Sequence, residues 1–385
     1  MDKNSNLPED LIEEILSRVP TKSLARFRAT SKRWNSLSKT GRFANKHSAS
    51  APKESLPIML IGSRLYLVNI SLLGMHGNDN VAPSVNVGSQ FHLYDPRYNS
   101  SRVDIRDVFH CDGLLLCTTK DRRHVVCNPC SGETKWIKPS SRYKETDYYA
   151  LGYGYDTKSS CKQYKILKVD CQDPLNRNEN GIYDLTSDSW RNLGVATDWS
   201  LVAEVRGVSV KGNTYWIALA ITLDDFPNFL LSFDFSTERF QSRSLPRQFK
   251  FSDFAVLSVV REEKLCLLGG DSRGLNVLVT DSIGVMSWSK FLRKINVLKL
   301  GSWMSFLVDE ENKVVVCCKK YPDSNRELCI VGEDKYALVD HYGGDLDPTC
   351  RPKSSQVLMS YVPSLAQIQQ TPLLPGHKRK RTKHV

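Results

Sequence analysis

The sequence predicts a mainly β protein with a small helical head, and three observations carry that prediction. Residues 7–37 place apolar side chains at helical spacing. From residue 56 onward the helical period gives way to short apolar runs rich in β-branched and aromatic residues. Those runs recur: their leading residues Leu65, Leu114, Tyr164, Thr214, Leu265 and Val314 lie 49, 50, 50, 51 and 49 positions apart. A period of about fifty with several strands per unit predicts the blades of a β-propeller, about six of them over residues 56–345. One blade cannot bury both faces of its own sheet, so neighbours must stack. A large antiparallel β-sandwich is the alternative architecture, and an irregular seventh repeat in the C-terminal part is the alternative count.

The head opens at Leu7-Pro8. Proline suits the first turn of a helix, where its missing N–H costs nothing. Glu9, Asp10, Glu13 and Glu14 follow and favour the positive end of the helix dipole. Leu7, Leu11, Ile12, Ile15, Leu16 and Val19 are spaced 4, 1, 3, 1 and 3 apart, which makes one broad apolar stripe. Pro20 stops this helix. Thr21 is placed to cap a second helix carrying Leu24 and Phe27. Thr30 or Ser31 is placed to cap a third, carrying Trp34 and Leu37. Three short helices rarely build a self-sufficient core. The stripe therefore needs a cover, either this chain's own β domain or another protein.

Residues 47–55, HSASAPKES, are small and polar, contain proline, and predict a linker. Beyond it, strand-like pieces such as LLLCTT and TYWIAL follow turns such as Cys111-Asp112-Gly113 and Lys211-Gly212-Asn213. A second kind of piece interleaves with them: an apolar strand, an Asp or Asn turn, then Trp or Phe, as in GIYDLTSDSWRNL. The expected organisation is head 1–46, linker 47–55, repeats 56–345 and a C-terminal segment 346–385 ending in a disordered basic tail. The polar stretches 74–90 and 171–180 are expected to be exposed insertions of the kind that form binding faces.

Composition narrows the function classes. The first residues lack the apolar core of a signal peptide, and no run approaches the roughly 18–20 apolar residues of a membrane helix. Eleven cysteines in such a chain are expected to be reduced thiols, so a soluble intracellular protein is expected. Of the net charge of +11, Lys378, Arg379, Lys380, Arg381 and Lys383 supply five, leaving about +6 (11 − 5) elsewhere. That cluster is expected to direct nuclear import, giving a protein of nucleus and cytoplasm. No base-stacking aromatics interleave with it, so specific nucleic-acid binding is not expected. Cys127-x-x-Cys130 has zinc or redox spacing but lacks a second pair. Gly152-Tyr-Gly-Tyr is followed by no helix pattern, so close strand packing explains it better than a phosphate loop. No nucleophile elbow, HExxH or Walker sequence occurs. Catalytic residues, metal and cofactor are accordingly expected to be none.

Leu7-Pro8, the apolar helix, Pro20, the Leu24/Phe27 pair and Ser31-Lys32-x-Trp34 together resemble an F-box over about residues 6–45. That resemblance implies docking onto the Skp-family linker of a cullin-type ubiquitin ligase. The implied contacts are Leu7, Pro8, Leu11, Ile12, Ile15, Leu16, Leu24, Phe27, Trp34 and Leu37. Ile12, Ile15 and Phe27 are the ones expected to hold the helices together instead. Gly113-Leu-Leu-Leu, Cys127-Asn128-Pro129, Leu151-Gly-Tyr-Gly-Tyr-Asp156, Ser189-Trp190-Arg191, Tyr215-Trp216 and Leu230-Leu-Ser-Phe-Asp-Phe235 resemble the plant F-box-associated, kelch-like domain. The two resemblances imply a non-catalytic adaptor of an SCF-type (Skp–cullin–F-box) ligase that presents a protein target for ubiquitination, without a membrane. The competing expectations are a nuclear binding module without a ligase and a kelch-type metal oxidase.

Overall fold

The computed structural model describes residues 7–75, 82–95, 102–140, 144, 147–155, 162–170, 180–194, 198–201, 206–220, 228–250, 254–271, 274–284, 286–294, 304–320, 328–339, 342–344 and 356–368. The head contains four helices rather than three: α1 (Glu9–Ser17), α2 (Thr21–Thr30), α3 (Lys32–Ser38) and α4 (Gly41–Ser50). Pro8 and Pro20 stand at the N-caps of α1 and α2 with φ near −50°, close to the value their rings impose, and extended ψ. The Ser31 side chain caps α3 by accepting from Trp34 N–H, as expected. Thr21 lies inside α2 and turns its hydroxyl elsewhere. Thr40 caps the unexpected α4 by accepting from Phe43 N–H. Residues 47–50, expected in the linker, form the last turn of α4; Phe43 and His47 on that helix are buried, which is why the polar-looking segment is ordered.

Among the described residues the rest of the chain makes six sheets, antiparallel except for one two-residue edge strand, Tyr342–Gly343, that pairs in parallel, so the structure is a six-bladed propeller and not a sandwich. Blade two is typical, with strands Ile105–Cys111, Leu114–Thr119, His124–Asn128 and Glu133–Ile137 in sequence order. Blades three, four, five and six begin at Tyr148, Trp199, Phe254 and Met304. In blades two to six the repeating residues Leu114, Tyr164, Thr214, Leu265 and Val314 sit at or near the start of the second strand. Blade one differs. Its three N-terminal strands are Leu56–Ile61, Arg64–Ser71 and Ser84–Phe91, and its innermost strand is Gln356–Tyr361 from the far end of the chain. Leu65 therefore lies one strand further out than its counterparts.

That closing strand replaces the alternative seventh repeat and carries the propeller past the expected boundary at 345. It pairs all six of its residues, from Leu56↔Tyr361 to Ile61↔Gln356. Residues 84–90, expected in an exposed insertion, belong to the strand Ser84–Phe91 of the same blade, which pairs with the short edge strand Tyr342–Gly343; Val85 and Val87 are buried at alternate positions. Residues 76–81 and 171–179 lie outside the described residues.

Five apolar clusters join the blades into a ring. They link blade one to two through Leu65 and Leu115, two to three and four through Leu116, Ile166 and Phe233, and four to five through Tyr215 and Leu267. Leu268 with Phe306 joins five to six, and Val316 with Met59 joins six to one. Cys317 and Cys318 fall in different clusters, as neighbours on a strand should. Gly152 lies where blades three and four touch: a Cβ there would stand 2.1 Å from the Phe235 ring and 2.5 Å from Gly212 O. Close packing is thus the reason for that glycine.

The Asp turns between third and fourth strands also have a physical cause. Asp184 Oδ1 accepts from Thr186 and Ser187 N–H, Asp234 Oδ1 from Ser236 and Thr237 N–H. These turns and those between first and second strands face one way, toward the helical head.

Candidate protein-docking site

The head divides its apolar residues between two sides. Leu7, Leu11 and Ile15, four residues apart, are 52%, 49% and 54% exposed, and Phe27 is 38% exposed. Phe27 meets Trp34 edge-on, ring centroids 5.9 Å apart. Pro8 is exposed as well, while Ile12, Trp34 and Leu37 are half-buried against the core of the head. Leu16 and Leu24, named among the docking contacts from the sequence, are buried in that core. Ile15 and Phe27, expected to hold the helices together, lie outside, whereas Ile12 does pack inside. The spacing of Leu16 and Leu24 fits either role; only the placement of α4 and its Phe43 decides it.

The core of the head is completed from a distance. Leu365 packs with Leu16, Leu24 and Phe43. It belongs to an extended strap, residues 362–368, that follows the closing strand. Pro363 O accepts from the Thr21 hydroxyl at 3.1 Å, and Gln367 Nε2 donates to Lys39 O. On its other side the strap is held by blade two. Asn128 Nδ2 donates to Ser364 O at 3.2 Å and Ala366 O at 2.7 Å, Ser364 Oγ to Asp112 O at 2.5 Å, and Ile368 N–H to Glu133 Oε2 at 3.1 Å. A Cβ at Gly113, where φ is +76°, would collide with the Ser364 side chain and backbone. The sequence marks Asn128 only as part of the Cys127-Asn128-Pro129 turn and carries no signal for Ser364 or Leu365.

Under the strap lies a polar knot, half-buried at Asp112 and Lys162 and buried at His110, Tyr164 and Glu262. The Asp112 carboxylate takes the Lys162 ammonium at 2.7 Å and the Tyr164 hydroxyl. Lys162 also reaches Ser48 Oγ of α4 at 3.4 Å. Glu262 Oε1 accepts from Asp112 N–H at 2.5 Å. Burial, then the Asp112 charge, pushes Glu262 up to about 8. His110 Nε2 accepts from Gly113 N–H at 3.2 Å and Val362 N–H at 3.4 Å, and burial pushes this ring down to about 3. With that nitrogen accepting, His110 is neutral, and its 3.5 Å approach to Glu262 is no ion pair. Lys162 ties the knot to the head through Ser48, and His110 ties it to the strap through Val362.

Other chemistry-bearing residues have structural places. Cys127 lies within the strand His124–Asn128 and Cys130 sits in the following turn, its Sγ 3.6 Å from Tyr361 OH. Among the described residues no group of three or more His, Cys, Asp or Glu is arranged to hold a metal ion, and no helix is long and apolar enough to cross a membrane. The axial cavity has a volume of about 50 Å³, and His110, Met304 and Met359 are the side chains of metal-ligand type among the described residues lining it. Lys378, Arg379, Lys380, Arg381 and Lys383 lie outside the described residues.

Comparison with known proteins agrees with this division. The F-box domain family matches residues 4–46, and the F-box associated beta propeller domain family matches residues 56–368. An Arabidopsis thaliana F-box protein is 51% identical over 94% of this chain and 99% of its own length. A second from the same plant is 47% identical over 95% and 99%. An Arabidopsis F-box/kelch-repeat protein is 41% identical over 94% and 98%.

Proposed function

Because the chain belongs to the plant F-box proteins that carry an F-box-associated β-propeller, we propose that it is the target-recruiting subunit of an SCF-type ubiquitin ligase. The head clips onto a Skp-family linker and, through it, a cullin scaffold. The propeller holds a protein target, and the rate gain is proximity: a target lysine is kept near a ubiquitin-loaded enzyme at high effective concentration. No acid, base or nucleophile of this chain takes part. The protein works in nucleus and cytoplasm, with the basic cluster at 378–383 as its import signal.

One observation supports this reading above the rest. Leu7, Leu11, Ile15 and Phe27 stay in solvent although Leu365 and Phe43 cover the other side of the same small head. Four large apolar groups on a module of this size are what a protein interface buries. The double variant Leu11→Ala/Ile15→Ala is expected to lose on the order of 2–4 kcal/mol of linker affinity. Its thermal unfolding should stay near wild type, since neither side chain is buried. Full linker capture by that variant in a pull-down refutes the reading. Failure of wild type to co-purify with linker and cullin favours the nuclear module without a ligase. The metal-oxidase reading would have to recruit His110, whose Nε2 already accepts from two backbone N–H groups.

A further inference from the structure

Beside the head, on the face of the propeller that carries it, lies an open groove of about 930 Å³. Its walls are the end of α4, the linker residues 51–55 and the edges of blades one, five and six. The floor is apolar: Leu56, Ile70, Leu72, Val259 and Leu307 are only half-buried there. Exposed apolar surface in a groove of this size is what a partner covers. The rim has the opposite sign to the molecule. Glu54, Glu263, Asp309, Glu310 and Glu311 line it against Lys53 and Arg261, a balance of −3 (2 − 5) in a chain of net +11. Three of the five carboxylates already hold a cation, Glu263 with Lys53 at 3.1 Å, Glu311 with Arg261 at 2.9 Å and Glu310 with Lys264 at 2.7 Å, which leaves an excess of two negative charges (5 − 3) at the mouth.

Resting on the reading of the propeller as the target-holding part, we propose that this groove receives an extended segment of the target protein in which one or two large apolar residues are flanked by Lys or Arg. The apolar side chains lie on Leu56, Leu72 and Leu307, and the flanking cations meet the carboxylate rim. A nucleic acid or an anionic membrane is repelled by the same rim. Selection comes from sign as well as shape: an acidic segment brings like charges together at the mouth. The target is thereby held against the root of the head, between the two parts of the chain.

The test uses the full chain and a fluorescent synthetic peptide with a central Leu-Leu pair flanked on each side by Lys-Arg. Fluorescence anisotropy should show this peptide binding at least about tenfold tighter than versions with Glu for the basic residues or Ala for the leucines. The triple variant Glu263→Gln/Glu310→Gln/Glu311→Gln should weaken it on the order of tenfold or more, and added salt should weaken it further. Equal binding of the acidic peptide, or an unchanged triple variant with a wild-type circular dichroism melt, overturns the proposal. The chain's own residues 372–381 also join apolar to basic residues. If the peptide binds only after Lys378, Arg379, Lys380 and Arg381 are changed to Gln, the tail is the occupant and the proposal of an outside segment falls. Linker capture by the triple variant should equal wild type, so a failure of the groove is distinguishable from a failure of the ligase reading.

Discussion

Replacing Leu365 by Ala tests whether the strap stabilises the head. Leu365 is 6% exposed and packs directly on Leu16, Leu24 and Phe43. Truncating a well-buried leucine to alanine costs about 2–5 kcal/mol, and this near-surface site belongs in the lower half, about 2–3 kcal/mol. The head spans residues 7–50, and at 0.05–0.15 kcal/mol per residue its share of stability is roughly 2–7 kcal/mol. Losing 2–3 kcal/mol from that share raises the open population about 30-fold or more. The blades keep their own clusters and should not notice. Native-state hydrogen exchange is the assay: amides of α2 and α4 should exchange about 30-fold faster or more, while strand Val314–Lys319 of blade six keeps its protection. If α2 exchange changes by less than about threefold, the head is self-sufficient and the reasoning fails. Equal acceleration in blade six would show instead that the strand Gln356–Tyr361 has come loose.

Two further perturbations probe the propeller and the joint. Gly152→Ala forces a methyl to within 2.1 Å of the Phe235 ring and should cost about 1–3 kcal/mol or more, seen as a lower Tm; an unchanged Tm would show that blades three and four can part there without penalty. Glu262→Gln isolates the buried carboxyl. Its folded pKa of about 8 lies above the ordinary 4.5, so folding takes up a proton between those values and stability falls as pH rises through that window. Gln keeps the acceptor for Asp112 N–H without the charge. The Tm of the variant minus that of wild type should therefore grow from pH 4.5 to 8, and a pH-independent difference would refute the assignment.

Much of this protein is legible in its residues because local chemistry decides it. The apolar period of residues 7–19, the helix-starting Pro8, the capping Ser31 and the fifty-residue recurrence from Leu114 to Val314 each reflect a rule acting over a few positions. Asp184 and Asp234 mark turns because a carboxylate two or three residues back can hold the turn's own N–H groups. The features that escape are pairings between distant parts of the chain. Nothing local tells that Gln356–Tyr361 belongs beside Leu56–Ile61, or that Leu365 completes the core around Leu24. An apolar stripe on a helix states that something must cover it, but its width does not state which residues are covered by whom. The F-box resemblance accordingly implies a single docking set for the head. Folding split it, with Leu16 and Leu24 turned inward onto α4 and the strap, and Leu7, Leu11, Ile15 and Phe27 left outside. The cause is closure: a propeller ring becomes stable when its last strand joins its first blade, and that step carries the C-terminal strap to the root of the head.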